Sequence, residues 1–279
     1  MTDALKRGVV GFYDTHPINE DEILTKLAAA GIDVGTMSED DLQAFDQDHY
    51  GGIEVVRELA KAASITAGDK VLDVCSGMGG PARWLAHNIG CSVTGLDFTR
   101  TRVDSAERLT QRVGLSDRVS FVHGDATQMP LPAASFDVVM SQESWLHVPG
   151  KPAVIGQCAQ VVKPGGRIAF TDVVTRRELP AAVSERLAAG MHAHDLGSAQ
   201  RYVELLEANG CEILSQEDLS AFWRDVLVER LAMYRSLRDT TVAKFGEARY
   251  EEYDAVYAHF VGLFVDGVLG GVRLVARRG

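Results

Sequence analysis

Three aspartates, each at the carboxyl end of a short β-branched run, are the residues best placed to do chemistry in this chain. Asp73 lies in Lys70-Val71-Leu72-Asp73-Val74-Cys75, which runs into Ser76-Gly77-Met78-Gly79-Gly80. Asp97 ends Ser92-Val93-Thr94-Gly95-Leu96-Asp97, and Asp125 follows a third run in Gly124-Asp125-Ala126. Gly77 and Gly79 let the backbone turn tightly and approach a ligand closely, because no Cβ intervenes. A carboxylate at Asp97 can accept two hydrogen bonds from a ribose diol. Asp125 can accept from the exocyclic amine of adenine while the neighbouring backbone N–H, at Ala126, reads a ring nitrogen. The alternative for Asp125 is a turn or helix cap. Three such caps at successive strand ends are a poorer explanation than one nucleoside site.

The glycine pattern separates two kinds of nucleoside ligand. A dinucleotide needs a pyrophosphate cradle, commonly GxGxxG after a strand. Here GxGG is followed by Pro81, and the third glycine of that fingerprint is missing. Asp73 precedes Gly77 by four positions, and a carboxylate there repels a pyrophosphate. It suits the ammonium of a methionine moiety, or it anchors the loop through backbone N–H groups.

The surrounding pattern supplies the frame. Short apolar runs alternate with helical stretches: Arg100 to Val113 after the second strand, Val119–Val122, Phe136–Met140, Pro152 to Val162 and Arg167–Thr171. Strand–helix alternation with short connections predicts a parallel sheet covered by helices on both faces. Ligands of such sheets bind outside the carboxyl ends of the strands, at the switch point. Residues 1–66 read as helical and acidic, with Glu20-Asp21-Glu22 and Glu39-Asp40-Asp41 each opening a helix. Residues 176–279 read as mostly helical, with strand-like runs at Cys211–Ser215 and Val272–Ala276.

Composition excludes several roles. The net charge is −11, with 28 Lys and Arg against 39 Asp and Glu. Gripping phosphate backbones needs clustered cations, so no nucleic-acid partner is expected. Cys75, Cys91, Cys158 and Cys211 are scattered without a CxxC pair, which argues against a metal centre or a disulfide framework. No signal peptide and no membrane span are predicted, so a cytoplasmic location is expected.

These features together resemble the class I S-adenosylmethionine-dependent methyltransferases. The resemblance rests on the glycine-rich first loop, the acidic end of the second strand, Gly124-Asp125-Ala126 and the Lys163-Pro164-Gly165-Gly166 turn. It covers residues 67–175 closely. A nearer similarity is to the sarcosine/dimethylglycine N-methyltransferase group, with phosphoethanolamine methyltransferases as cousins. It is carried by His49-Tyr50-Gly51-Gly52, Ser141-Gln142-Glu143-Ser144-Trp145-Leu146-His147, Thr171-Asp172 and His194-Asp195-Leu196-Gly197-Ser198. The C-terminal helical region departs from those enzymes.

The resemblance implies a Rossmann-like α/β fold with a mainly parallel seven-stranded sheet. Residues 1–66 form an N-terminal helical lid and residues 67–279 the methyltransferase domain, with a helical cap inserted at about 217–268. It implies S-adenosylmethionine as cofactor, held by Asp73, Gly77, Gly79, Asp97, Phe98, Asp125, Ala126 and Gln142. The acceptor is a small molecule, first of all an amine of the sarcosine/dimethylglycine kind. An oxygen, sulfur or carbon acceptor in a natural product is the alternative, and a nucleotide-binding oxidoreductase is a more distant one. An ammonium must lose a proton before attack, and histidine is a natural base near neutral pH. His147, on the loop after strand four, is the first candidate. His194, which Asp195 can orient, is the second, and Tyr50 on the lid is the third. Trp145 either walls the pocket or packs in the core. Glu143 is placed near the methionine end of the cofactor or the acceptor. The aromatic-rich helices between residues 218 and 268 are candidates for covering the acceptor and for a homodimer contact. No metal ligand set is expected.

Overall fold

Apolar residues on both sides of the central strands require cover on both faces of the sheet. In the computed structural model this alternation is explicit. Val71, Val93, Val138 and Ala169 enter one hydrophobic cluster, while Leu72, Leu96, Val139 and Ile168 enter the other. The structure describes residues 8, 10, 11, 13, 18–47 and 49–279. The rest of the expected N-terminal helical segment, with Asp48, lies outside the described residues.

The strands are β1 (Lys70–Val74), β2 (Ser92–Asp97), β3 (Val119–His123), β4 (Phe136–Gln142), β5 (Val162–Thr175), β6 (Cys211–Asp218) and β7 (Leu269–Arg278). They form one seven-stranded sheet in the order β3-β2-β1-β4-β5-β7-β6. The first five are parallel, and β7 runs antiparallel to both β5 and β6. This is the mainly parallel α/β sheet expected. Both last strands are longer than their sequence patterns because β6 pairs with β7 from Cys211 to Asp218 and β7 pairs with β5 from Leu269 to Arg277.

Helices α1 (Glu20–Ala29), α2 (Glu39–Leu42) and α3 (Ile53–Ala62) precede the sheet. Asn19 caps α1, and Ser38 with Asp41 forms a capping box on α2. Their acidic first turns sit where the helix dipole favours negative charge. Helices α4 (Gly80–Asn88), α5 (Arg100–Arg112) and α6 (Lys151–Val161) follow β1, β2 and β4. Then come α7 (Ala181–Met191) and α8 (Ala199–Ala208). Between β6 and β7 lie α9 (Ser220–Ser236), α10 (Arg238–Phe245) and α11 (Glu247–Val265). Helices α3 and α4 cover one face through Val56, Leu59, Ala82 and Leu85, and α6 and α8 cover the other through Val154, Ile155, Tyr202 and Leu206.

Helices α9, α11 and α7 form a separate apolar cluster around Trp223, Leu227, Phe260 and Leu187. It continues into the carboxyl edge of β5 at Val173, so the inserted helices stand over the end of the sheet where ligands bind. The Lys163-Pro164-Gly165-Gly166 turn is at the other end. There Lys163 pairs with Asp137 at 2.7 Å. A Cβ on Gly166 would lie 2.8 Å from the Asp137 carbonyl, so this motif serves the turn and not a ligand. Among the described residues, no helix is long and apolar enough to cross a membrane.

Candidate functional site

The chain leaves β1 through a strained turn. Cys75 has φ +61°, a left-handed conformation that costs a non-glycine residue of order 1 kcal/mol or more. It is held there by the Leu96 carbonyl of β2, which accepts from the N–H of Cys75 at 2.7 Å and of Ser76 at 3.1 Å. Gly77 (φ +55°) follows, and a Cβ there would meet no atom within 4 Å. Gly79 (φ +78°) caps α4, and its missing Cβ has a different cause: it would fall 2.4 Å from the Phe121 ring. Gly77 therefore opens towards ligand space, and Gly79 is glycine for packing.

Around this turn, the carboxyl ends of β1, β2 and β4 line a cavity of about 460 Å³. Asp73, Gly77, Asp97, Phe98 and Gln142 line it, as do Tyr50 and His147. Gly79, Asp125, Ala126 and His194 are not among its lining residues. Asp125 Oδ1 accepts from the Thr127 N–H and hydroxyl, the turn-capping role weighed for it above, and Ala126 is buried in the core.

Asp97 already has backbone partners. Its Oδ2 accepts from the Gly77 N–H and its Oδ1 from the Thr99 N–H, both at 2.8 Å. Each carboxylate oxygen retains a second lone pair, so Asp97 both fixes the glycine turn and presents acceptors to the cavity.

The residues present fit a polar ligand. Asp73 Oδ2, Ser76 Oγ and both amide atoms of Gln142 are buried without a hydrogen-bond partner among the described residues. Buried polar atoms are normally paired, and these four belong to side chains that line one cavity. Burial, and then the neighbouring Asp97 charge, push the Asp73 carboxyl up to about 8. A ligand cation beside it supplies the missing counter-charge. The half-buried ring of Phe98, tilted against His123 at 6.3 Å, gives the β2 end an apolar face.

The other end of the cavity is built by distant segments. Glu143, at φ +53° just past β4, accepts from the Tyr50 N–H at 2.6 Å. Arg230 of α9 donates to the His49 carbonyl at 2.6 Å and lies 5.2 Å above the Tyr50 ring. That ring meets Trp223 edge-on at 5.3 Å. Burial pushes the Tyr50 phenol well above its usual value, so it remains protonated and able to donate. Tyr234, Tyr253, Tyr257, Met191 and Met233 complete the wall.

His147 ends a one-turn 3₁₀ helix, Trp145–His147. Its Nδ1 lies 3.3 Å from the His192 carbonyl, and Tyr13 sits edge-on to the ring at 5.8 Å. Burial is the main cause that lowers its pKa to about 4, so the ring is neutral near pH 7. A titration near the ordinary histidine value, as its residue type suggests, is corrected by this burial. His194 is placed differently from expectation as well: Asp195 does not orient its ring. The Asp195 carboxylate instead accepts from the Gly150 and Lys151 N–H groups and pairs with Arg201. Trp145 is core rather than pocket wall, being 1% exposed with its ring 4.4 Å from Phe170.

Arg230, Met233, Tyr253, Tyr257, Tyr13, Ser76 and Arg102 also line the cavity, and sequence reasoning left them unassigned or equivocal. An arginine on a helix such as α9 ordinarily lies on a solvated face. Only the fold of the inserted helices selects Arg230 among the α9 arginines.

Comparisons with known proteins identify the family and the fold. A family model described as a methyltransferase domain matches residues 72–170. Methyltransferase GfsG of Streptomyces halstedii is 33% identical over 79% of this chain and 78% of its own length. The 27-O-demethylrifamycin SV methyltransferase of Amycolatopsis mediterranei is 32% identical over 79% and 81%. The sarcosine/dimethylglycine N-methyltransferase of Aphanothece halophytica is 31% identical over 66% and 68%. Among solved structures, phosphoethanolamine N-methyltransferase 2 of Haemonchus contortus, bound to phosphomonomethylethanolamine and S-adenosylhomocysteine, shares the fold. Its TM-score is 0.75 at 20% identity, covering 96% of this chain and 59% of that one.

Proposed function

The chain belongs to the class I S-adenosylmethionine-dependent methyltransferases, and we propose that within this family it methylates a hydroxyl oxygen of a largely uncharged, natural-product-like small molecule. The observation that carries this reading is the charge balance at the acceptor end. Four tyrosines and two methionines surround one cation, Arg230, and one carboxylate, Glu143, both placed against Tyr50. The pair cancels. A cationic amine entering there loses hydration with no surplus negative charge to replace it. The Tyr50 face that can cradle an ammonium is already under a guanidinium at 5.2 Å. Like charges at about 5 Å repel by about 3 kcal/mol at an effective dielectric of about 20. The rifamycin relative, named for an O-methylation, supports the same choice. A zwitterionic amine remains the second reading, since Arg230 can take its carboxylate and the sarcosine/dimethylglycine relative acts on such molecules.

The donor brings a methyl group already activated on a sulfonium. In our reading Asp73 and Gln142 hold its amino-acid end, and Asp97 and Phe98 its nucleoside end. Asp125 and Ala126, at the end of β3, and Gly79 support that end from outside the cavity lining. Tyr50 donates to the acceptor. His147 removes the acceptor proton. With Nδ1–H directed at the His192 carbonyl, the lone pair is on Nε2. The hydroxyl proton passes to Nε2 as the oxygen gains the methyl. His194 stands behind this turn. Alignment in the cavity contributes the larger share of the rate, up to about 7–11 kcal/mol in the best cases.

The test is a transfer assay with labelled donor against hydroxylated polyketides and phenols on one side. Sarcosine, dimethylglycine and phosphoethanolamine stand on the other. Label in an ether is the expected product. Label in the amines alone overturns the oxygen reading and leaves the family membership intact.

A further inference from the structure

Lys151 is the first residue of α6, and its side chain is fully buried at 0% exposure. A lysine is almost never buried completely unless it is paired. No carboxylate forms an ion pair with it among the described residues. Its Nζ instead donates to the Trp145 carbonyl and, at 3.5 Å, to the Val148 carbonyl. Those two carbonyls bracket the 3₁₀ turn that ends in His147. The rest of that turn is also held from outside. Asp172 Oδ1 accepts from the Leu146 N–H at 3.3 Å, and the Leu146 carbonyl accepts from the His194 N–H at 3.2 Å. Asp195 Oδ2 accepts from the N–H groups of Gly150 at 2.9 Å and Lys151 at 3.1 Å.

A single-turn 3₁₀ helix has little stability of its own, so its shape is imposed by these contacts. A general base needs its nitrogen within hydrogen-bond reach of the proton it takes. We propose that Lys151 is a positioning residue for the methyl transfer: its buried ammonium, clamping the carbonyls on either side of His147, sets where the imidazole stands in the cavity. The proposal rests on the reading of His147 as the base.

The charge of Lys151 also reaches the ring. Lys151, His192 and His194 all face His147 and disfavour its protonated form, and Tyr13 lies against its edge. Removing the lysine charge must therefore raise the His147 pKa, whereas a purely structural loss need not.

The experiment compares wild type, Lys151→Met, Lys151→Gln, His147→Ala and the Lys151→Met/His147→Ala double variant. Histidine Cε1 resonances are followed from pH 3.5 to 8 by NMR, and S-adenosylhomocysteine binding by calorimetry. Single-turnover transfer is measured to whichever panel acceptor is methylated. In Lys151→Met the His147 titration moves upward. Nucleoside affinity holds within about twofold. Transfer falls roughly 10–100-fold, and the double variant is no slower than His147→Ala. Lys151→Gln, which retains an N–H donor, recovers part of the rate and serves as the test if the methionine variant does not fold. An unmoved His147 titration, or rate losses that multiply in the double variant, overturns the proposal. A His147→Ala enzyme of wild-type rate overturns the base assignment instead, and the two failures are distinguishable.

Discussion

Donor binding should release a proton from Asp73, and the size of the effect follows from its surroundings. In the unliganded site burial and Asp97 hold the carboxyl at about 8, so at pH 7 it is about nine-tenths protonated. A donor ammonium beside it returns the pKa towards the ordinary value of about 4. The sign is that of a group whose bound-state pKa is lower than its free-state pKa. The Asp73 contribution to affinity is complete above pH 8 and is lost as pH falls. The penalty is about 1.4 kcal/mol per pH unit, so at pH 6 protonated Asp73 weakens binding by about 2.7 kcal/mol, or roughly 100-fold, relative to its ionised form. The ligand's own amino group, with a pKa near 8, takes up about 0.1 proton at pH 7, which leaves a net release of about 0.8. Calorimetric titration with S-adenosylhomocysteine, in buffers of contrasting ionisation enthalpy, reads this number directly. Asp73→Asn should bind more weakly at pH 8 and show no such pH dependence. A wild-type affinity constant within twofold from pH 6 to 7.5, with no proton released, would refute the placement of Asp73 against a cation.

Three further outcomes follow from the site. His147→Ala should lower turnover by about 10²–10⁴-fold with nucleoside affinity nearly unchanged. At saturating donor the wild-type rate should hold down to acid pH and fall only towards pH 4, where the buried ring protonates; a midpoint near 6.5 contradicts this. Asp97→Ala should weaken S-adenosylhomocysteine binding by about 1.5–3 kcal/mol. It should also lower the thermal midpoint, because the Gly77 and Thr99 N–H groups lose their acceptor; unchanged affinity reduces Asp97 to a loop anchor. Arg83 is wholly buried, bonded to Asp46 at 2.7 Å and within 3.5 Å of Glu39. Arg83→Met strands two buried carboxyls and should cost about 3–5 kcal/mol, read as a lower denaturant midpoint; a shift below about 1 kcal/mol rejects the pairing.

The pairing of Arg83 shows where reading the sequence stops. Arg83 sits in the helical pattern after the glycine turn, where an arginine ordinarily faces solvent. In the fold its guanidinium also donates to the Met78 carbonyl, tying the cofactor turn to the segment that carries Glu39 and Asp46. His147 and Lys151 are similar. The imidazole was legible as a base candidate from residue type and position, but its neutrality comes from burial. The role of Lys151 comes from a carbonyl pair that no spacing rule marks.

The sequence by itself determined the parallel strands, the helices between them, and the turn and carboxyls that line one end of the cavity. Those depend on short-range patterns: apolar alternation, a glycine turn after a strand, and carboxylates at strand ends. Gly77, Asp73 and Asp97 were legible for that reason. Tertiary structure alone decided that Gly79 is glycine because of Phe121, that Trp145 is core, and that Asp195 serves the His147 turn rather than His194. It also decided the far end of the cavity, where contacts join residues 93 positions apart at Tyr50 and Glu143, and 181 apart at His49 and Arg230. Such contacts leave no periodic trace, because they are set by how α9 and the N-terminal segment pack over the sheet and not by either segment's own pattern.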